Sequence, residues 1–237
     1  MNVFTRDYLR VASIVICLSF SPKALTAQTL DVAMLLYEEQ EAGTDVYPVR
    51  ILVGDKHLRI DDGYDQGDYI LLDRTSRRLY SVNHAERNIL VVHSRVTEKQ
   101  LPADLVLTQK ETADATAPTI QGKIPVNRQL LANGELCLQV VVVPDLMDAA
   151  VSGMAEYAQV LGSRQLKNLD GLPESVKTPC YLSRYVYAPA RHLRNGLPLI
   201  ERDTSGYYRS LLNYKLSESV SAAIFALPDS YELIQLD

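Results

Sequence analysis

The sequence predicts a β-rich α+β fold, and three observations lead to that prediction. Apolar and polar residues alternate through the first half of the chain, in short runs typical of strands with one buried face. Turn-forming residues separate these runs at intervals of about 8–12 positions, as in an antiparallel meander. A stretch with helical periodicity follows at residues 145–161. Residues 28–237 contain no internal repeat, so we expect one domain there.

The strands before residue 94 are predicted from alternation or from short apolar runs. They are residues 30–37, 47–53, 57–60, 69–72, 78–82 and 88–93. Gly54 begins a tight turn, because glycine adopts positive φ without steric cost. Asp61, Asp62, Asp65 and Asp68 crowd another turn, but their spacing does not match a calcium-binding loop. We therefore interpret it as a solvated hairpin turn.

The second half combines further strands with the helix. Asn133-Gly134 is a strong signal for a type I′ hairpin. Pro144 and Asp145 suit the first turn of a helix, and Gly162 suits its end. Residues 98–127 are predicted to form a long connection with a short strand at residues 105–108. The remaining extended segments are predicted at residues 126–132, 135–143, 181–187, 197–201 and 207–216, and residues 223–236 form a short apolar patch.

The first 27 residues have the organisation of a secretory signal peptide. Arg6 and Arg10 precede an apolar run from Val11 to Phe20, and Ala27 offers a small residue at the cleavage point. The apolar run is only half of the roughly 20 residues that a membrane-spanning helix needs. We therefore expect cleavage after Ala27 and export, rather than a membrane anchor.

Cleavage would leave two cysteines, Cys137 and Cys180. An even pair in an exported protein predicts a disulfide. Two buried, unreactive thiols are the alternative. A catalytic thiol has less support, because neither cysteine lies in a recognisable Cys-His context.

Charge and motifs argue against several classes of function. The formal net charge is −5, and the chain after residue 27 has no cluster of Lys and Arg, so we expect no nucleic-acid partner. His57, His84, His93 and His192 lie in no zinc-binding pattern, and no catalytic signature is recognisable. We expect no metal, no cofactor and no enzymatic activity, although a triad assembled in space stays open.

Three segments resemble the periplasmic lipoprotein-carrier (LolA-like) superfamily and its exported relatives. The first is V-R-I-L-V-G-D-K-H-L-R-I at residues 49–60, and the second is I-L-L-D-R-T-S-R-R-L-Y-S-V at residues 70–82. The third is the ending A-I-F-A-L-P-D-S-Y-E at residues 223–232. The resemblance implies a curved, open antiparallel sheet, a half-barrel, that is covered by one main helix and by short helical or loop segments.

The same resemblance implies a function in the periplasm. The protein would bind a hydrophobic ligand, either a lipid or the acyl chain of a lipoprotein, in an apolar cavity between the sheet and the helix. The apolar stripe of the helix would line this cavity: Leu146, Met147, Ala150, Met154, Tyr157 and Leu161. In the alternative, this stripe is ordinary core, and the protein is a structural or interaction protein of the cell envelope that binds an envelope partner.

The orientation of the helix follows from the same stripe. We expect Met154 to face the sheet and Glu156 to face solvent. Met154→Asp would then destabilise the fold, whereas Glu156→Lys would be tolerated.

Overall fold

The computed structural model describes residues 28–93, 100–113, 116–194 and 196–236, in which strands predominate. The predicted signal peptide and its cleavage site lie outside the described residues. The described strands are β1 (Thr29–Gln40), β2 (Tyr47–Val53), β3 (His57–Asp61), β4 (Tyr69–Asp73), β5 (Arg78–Asn83), β6 (Asn88–His93), β7 (Leu107–Ala113), β8 (Val126–Ala132), β9 (Glu135–Val143), β10 (Leu197–Arg202), β11 (Tyr208–Ser221) and β12 (Glu232–Leu236).

The strands form one open sheet in the order β12-β6-β5-β4-β3-β2-β1-β11-β10-β9-β8-β7. Neighbouring strands run antiparallel, except that β12 pairs parallel to β6. The long strands β1 and β11 join the two halves of the sheet, and two irregularities interrupt their register. The predicted open antiparallel sheet is therefore confirmed, and it is not closed into a barrel.

The described helical segments are few, and the main one is α1 (Asp148–Lys167). The short helix α2 (Pro179–Tyr181) continues into a π-helical turn at Leu182–Tyr187. Single 3₁₀ turns occur at Leu169–Gly171, Arg191–Leu193 and Ala222–Phe225. No helix among the described residues is long and apolar enough to cross a membrane.

The prediction that residues 181–187 are extended is wrong. Thr178 precedes this segment, and its side chain accepts a hydrogen bond from the Tyr181 backbone N–H. Pro179 occupies the first helical position, where its missing N–H costs nothing. The chain therefore turns into a helix, although its aromatic and β-branched residues would also suit a strand.

The predicted bounds of the main helix also need correction. Asp145 and Met147 both have left-handed φ angles, of 50° and 56°, so a turn precedes the helix. Gly162 lies inside the helix rather than at its end. A Cβ atom at this position would lie 2.6 Å from Cγ of Pro189, so the glycine allows α1 to approach that segment closely.

The face of the sheet that carries α1, here called the inner face, holds the larger apolar core. Met154 points into this core and is 5% exposed, so the prediction that it faces the sheet is confirmed. The buried members of this inner core are Leu35, Tyr37, Ile51, Val53, Leu58, Leu72, Leu79, Val92, Val143, Leu146, Ala150, Val151, Met154, Val160, Leu193 and Leu197.

An ion pair holds α1 against the sheet. Arg74 follows β4, and its guanidinium donates two hydrogen bonds of 2.8 Å to the Glu156 carboxylate. A third hydrogen bond reaches the Gly54 carbonyl oxygen. Glu156 is thus not on a free helix face, and the prediction that Glu156→Lys is tolerated does not fit this geometry.

The opposite face of the sheet, here called the outer face, holds a second apolar core under the C-terminal segment. Phe225 and Leu227 pack there against Val32, Leu52 and strand residues from β4 to β6. Arg59 lies beneath this segment and is 2% exposed. It donates a hydrogen bond to the Ile224 carbonyl oxygen, so a charged group fastens the C-terminal segment to the sheet.

Asp61 is the counterion of this buried arginine. Its carboxylate accepts hydrogen bonds from Arg59 at 2.6 Å and from Arg50 at 2.8 and 2.9 Å. The predicted solvated turn therefore needs correction at Asp61, which is buried, whereas Asp62 and Asp65 are exposed.

We predict that Asp61→Asn lowers the free energy of unfolding by about 3 kcal/mol at neutral pH, because it breaks a buried ion pair. Burial alone would raise the pKa of Asp61, but hydrogen bonds from Arg50, Arg59 and the Gly63 N–H outweigh burial and lower it. The carboxylate therefore stabilises the fold above its ordinary pKa of about 3.9, and this contribution is lost as the pH falls further.

Urea unfolding should show that the difference in the free energy of unfolding between wild type and variant shrinks towards a pH of about 3. The exposed Asp45→Asn is the control, and a difference independent of pH would contradict the assignment.

We also predict that Glu156→Lys destabilises the protein by about 1–2 kcal/mol, because it replaces a two-fold charge-assisted contact with repulsion. Gln159→Lys, on the exposed face of the same helix, should change stability by less than about 0.5 kcal/mol. Thermal unfolding of both variants measures the comparison. Equal stability of the two would show that Arg74 does not anchor α1.

Candidate functional site

A cavity of about 420 Å³ lies between α1, residues 183–193 and the inner face of the sheet. Apolar side chains from all three elements form most of its wall, among them Ile51, Ile60, Leu130, Leu138, Met154 and Leu161. Alternation along the strands puts these side chains on the inner face, and the stripe of α1 supplies the helix side. The cavity can therefore accept an apolar group.

Charged side chains from β1 and β11 enter the same cavity. Arg209 and Glu39 are register partners on these two strands, so their side chains share the inner face. Nε of Arg209 lies 2.9 Å from Oε1 of Glu39, close enough for an ion pair but poorly aligned for a hydrogen bond. The guanidinium also stacks on the ring of Tyr37, 4.0 Å from its centroid. Burial lowers the pKa of Arg209, but Glu39 and other anionic groups outweigh burial, so the net shift is upwards.

Glu201 of β10 is the most deeply buried carboxylate of the cavity and is 3% exposed. The Tyr207 hydroxyl lies 3.5 Å from Oε2 of Glu201, and Nη1 of Arg209 lies 3.8 Å from the same oxygen. Nε2 of His192 lies 3.6 Å from the other oxygen, Oε1. Burial lowers the pKa of His192, so this imidazole is neutral at neutral pH.

Two further arginines of the cavity wall are engaged elsewhere. Arg184 pairs with Asp203, in the turn between β10 and β11. Arg191 donates to the carbonyl oxygens of Leu131 on β8 and Thr108 on β7. These contacts fasten the segment after α2 to the sheet.

The structure brings together part of the predicted site. Met154, Tyr157 and Leu161 line the cavity. Burial raises the pKa of the Tyr157 hydroxyl to about 12. Leu146 and Ala150 are buried in the inner core instead, and Met147 packs against that core at the start of α1.

The polar part of the site was missed by the sequence reasoning. Glu39 continues the phase of Leu35 and Tyr37 along β1, so strand alternation was a signal that it faces inward. No such signal joined Glu201, His192 and Arg209, because they come from separate elements that only the sheet order and the fold of residues 188–193 bring together.

The predicted disulfide between Cys137 and Cys180 is present, with Cα atoms 5.0 Å apart. It joins β9 to α2, immediately before the residues that close the cavity. Leu182 and Tyr187 pack on a small core of Leu105, Ala132 and Cys137 beside the bond. The disulfide therefore fixes the start of this wall on the sheet.

The described residues contain no group of three or more His, Cys, Asp or Glu side chains that could hold a metal ion. The residues that line the cavity form an apolar chamber with a polar end, which suits binding of an amphiphilic molecule.

We predict that replacing both cysteines by alanine lowers the free energy of unfolding by about 4 kcal/mol, because the bond closes a long loop in the unfolded chain. The two cysteines are 43 positions apart. Limited proteolysis should then cut the segment after α2 first. Treatment with dithiothreitol is the control, since it should weaken the wild type and leave the double variant unchanged. Equal unfolding curves for both proteins would contradict the prediction.

Comparisons with known proteins do not place the chain in a family. No protein-family model and no curated protein matches it. Two crystal structures of PNGF-II match with a TM-score of 0.42 and with 9% and 8% identity. The matches cover 88% of this chain but only 31% and 32% of the PNGF-II chains, so this chain spans about a third of their length.

Proposed function

We propose that the protein is an exported, periplasmic, non-enzymatic binding protein for a hydrophobic ligand. The ligand would be a lipid or the acyl chain of a lipoprotein. The observation that supports this most is the cavity of about 420 Å³ between α1 and the sheet. Ligand pockets in proteins have volumes of about 300–1,000 Å³ and are mainly apolar. The resemblance of three sequence segments to lipoprotein carriers supports the same proposal.

The position of the cavity also supports ligand binding. Ile51, Met154 and Leu193 belong both to its wall and to the buried inner core, so one side of the cavity is apolar and densely supported. A ligand that covers this wall would remove apolar surface from water, which favours binding. Met154 adds a flexible and polarisable wall that can adapt to different apolar groups.

A second, larger groove of about 960 Å³ lies on the other side of α1, but it fits the proposal less well. Polar side chains such as Arg77, Asp148, Gln159 and Arg194 make up much of its lining. We therefore place the ligand in the smaller cavity, which has the apolar wall.

Ala158→Phe tests this placement. Ala158 lines the cavity, so a phenyl ring there should occupy the ligand's space and weaken binding of an apolar probe at least about tenfold. The probe is N-phenylnaphthylamine, whose fluorescence rises in apolar surroundings. Ala149→Phe is the matched control, because Ala149 is exposed on the same helix.

Two results would count against the proposal. Equal probe affinities for Ala158→Phe and wild type would place binding outside the cavity. No fluorescence rise in the wild type would favour the alternative of a structural or interaction protein of the envelope. Circular dichroism of both variants shows whether they fold.

A further inference from the structure

The polar end of the cavity leaves one buried acceptor unsatisfied. Oε1 of Glu201 has no hydrogen-bond partner among the described residues. Nε2 of His192 lies 3.6 Å from Oε1, which exceeds hydrogen-bond distance. A buried carboxylate oxygen without a donor is costly, and native proteins rarely retain one without a reason.

Each of the three arginines that line the cavity already has an acceptor or a counterion. Arg184 is paired with Asp203, and Arg191 donates to two backbone carbonyls. Nε of Arg209 lacks an aligned acceptor, but it lies 2.9 Å from Oε1 of Glu39, and the guanidinium stacks on Tyr37. An anionic head would therefore compete with Glu39 for Arg209.

The formal charges around the cavity also favour a positively charged ligand group over a negatively charged one. Four carboxylates, Glu39, Glu41, Glu201 and Asp203, line the cavity or pair with its lining, against three guanidinium groups. His192 adds no charge at neutral pH. The polar end therefore has one negative charge in excess, next to an acceptor that lacks a donor.

From this geometry we infer that the ligand is a single-chain amphiphile whose head donates hydrogen bonds, with an ammonium group preferred over a hydroxyl and a carboxylate disfavoured. The chain lies along Met154 and Leu161, and the head donates to Oε1 of Glu201. An ammonium brings both the missing donors and the missing positive charge, whereas a carboxylate brings neither. This inference rests on the proposed function, since it concerns the same cavity.

A series of amphiphiles with the same chain and different heads tests it. Isothermal titration of the wild type with dodecylamine, dodecanol and laurate, each below its micelle concentration or solubility limit, should give affinities in that order. We expect dodecylamine to bind about tenfold tighter than laurate, the size of one charge-assisted hydrogen bond. Glu201→Gln should reduce this preference to less than about threefold, because the amide keeps the shape and loses the charge.

Glu135→Gln is the matched control, because Glu135 is exposed and lies outside the cavity, and it should keep the preference. Laurate binding as tightly as dodecylamine, or an unchanged preference in Glu201→Gln, would overturn the head-group inference and leave the proposed function standing. Failure of all three compounds to bind would overturn the proposed function itself. The order of affinities in the wild type decides the question even if Glu201→Gln does not fold.

Discussion

The length of helix α1 is much smaller than the width of the sheet. This difference determines how the inner face of the described structure is covered. A helix of 20 residues is about 30 Å long. Twelve strands spaced about 4.8 Å apart would span more than about 50 Å if the sheet were flat. α1 contacts β2, β3 and β5, where Arg74 and the close approach of Gly153 to Val53 hold it. The inner face of β9 to β11 must therefore be covered by other residues.

The segment after α2 covers that part of the sheet, and it does so without a regular helix that could pack densely. A disulfide and two arginines fasten it to the strands, and the cavity lies where it meets α1. The inward positions of the central strands carry Glu39, Glu201 and Arg209 rather than apolar residues. Such a cluster stabilises a fold less well than apolar packing would. Charged residues at inward positions of a sheet, which weaken core packing, occur mostly at functional sites.

Local patterns were enough to predict most of the sheet but not the site. Strands such as β2, β5 and β6 follow from alternation and turn residues that lie within a few positions of each other. Residues 181–187 were wrongly predicted as extended, although Thr178 and Pro179 together form a helix-start signal. Glu156 was misjudged because its partner, Arg74, lies 82 positions away in the chain. The polar end of the cavity has the same origin: its members meet through strand order, which no local pattern encodes.

Native mass spectrometry of the protein, purified without detergent from the cells that make it, tests the central claim most directly. We expect a bound species with the mass of one amphiphile, released from the folded protein by collisional activation. The protein mass alone, from folded protein under conditions that preserve other lipid complexes, would contradict the claim that the cavity holds a ligand.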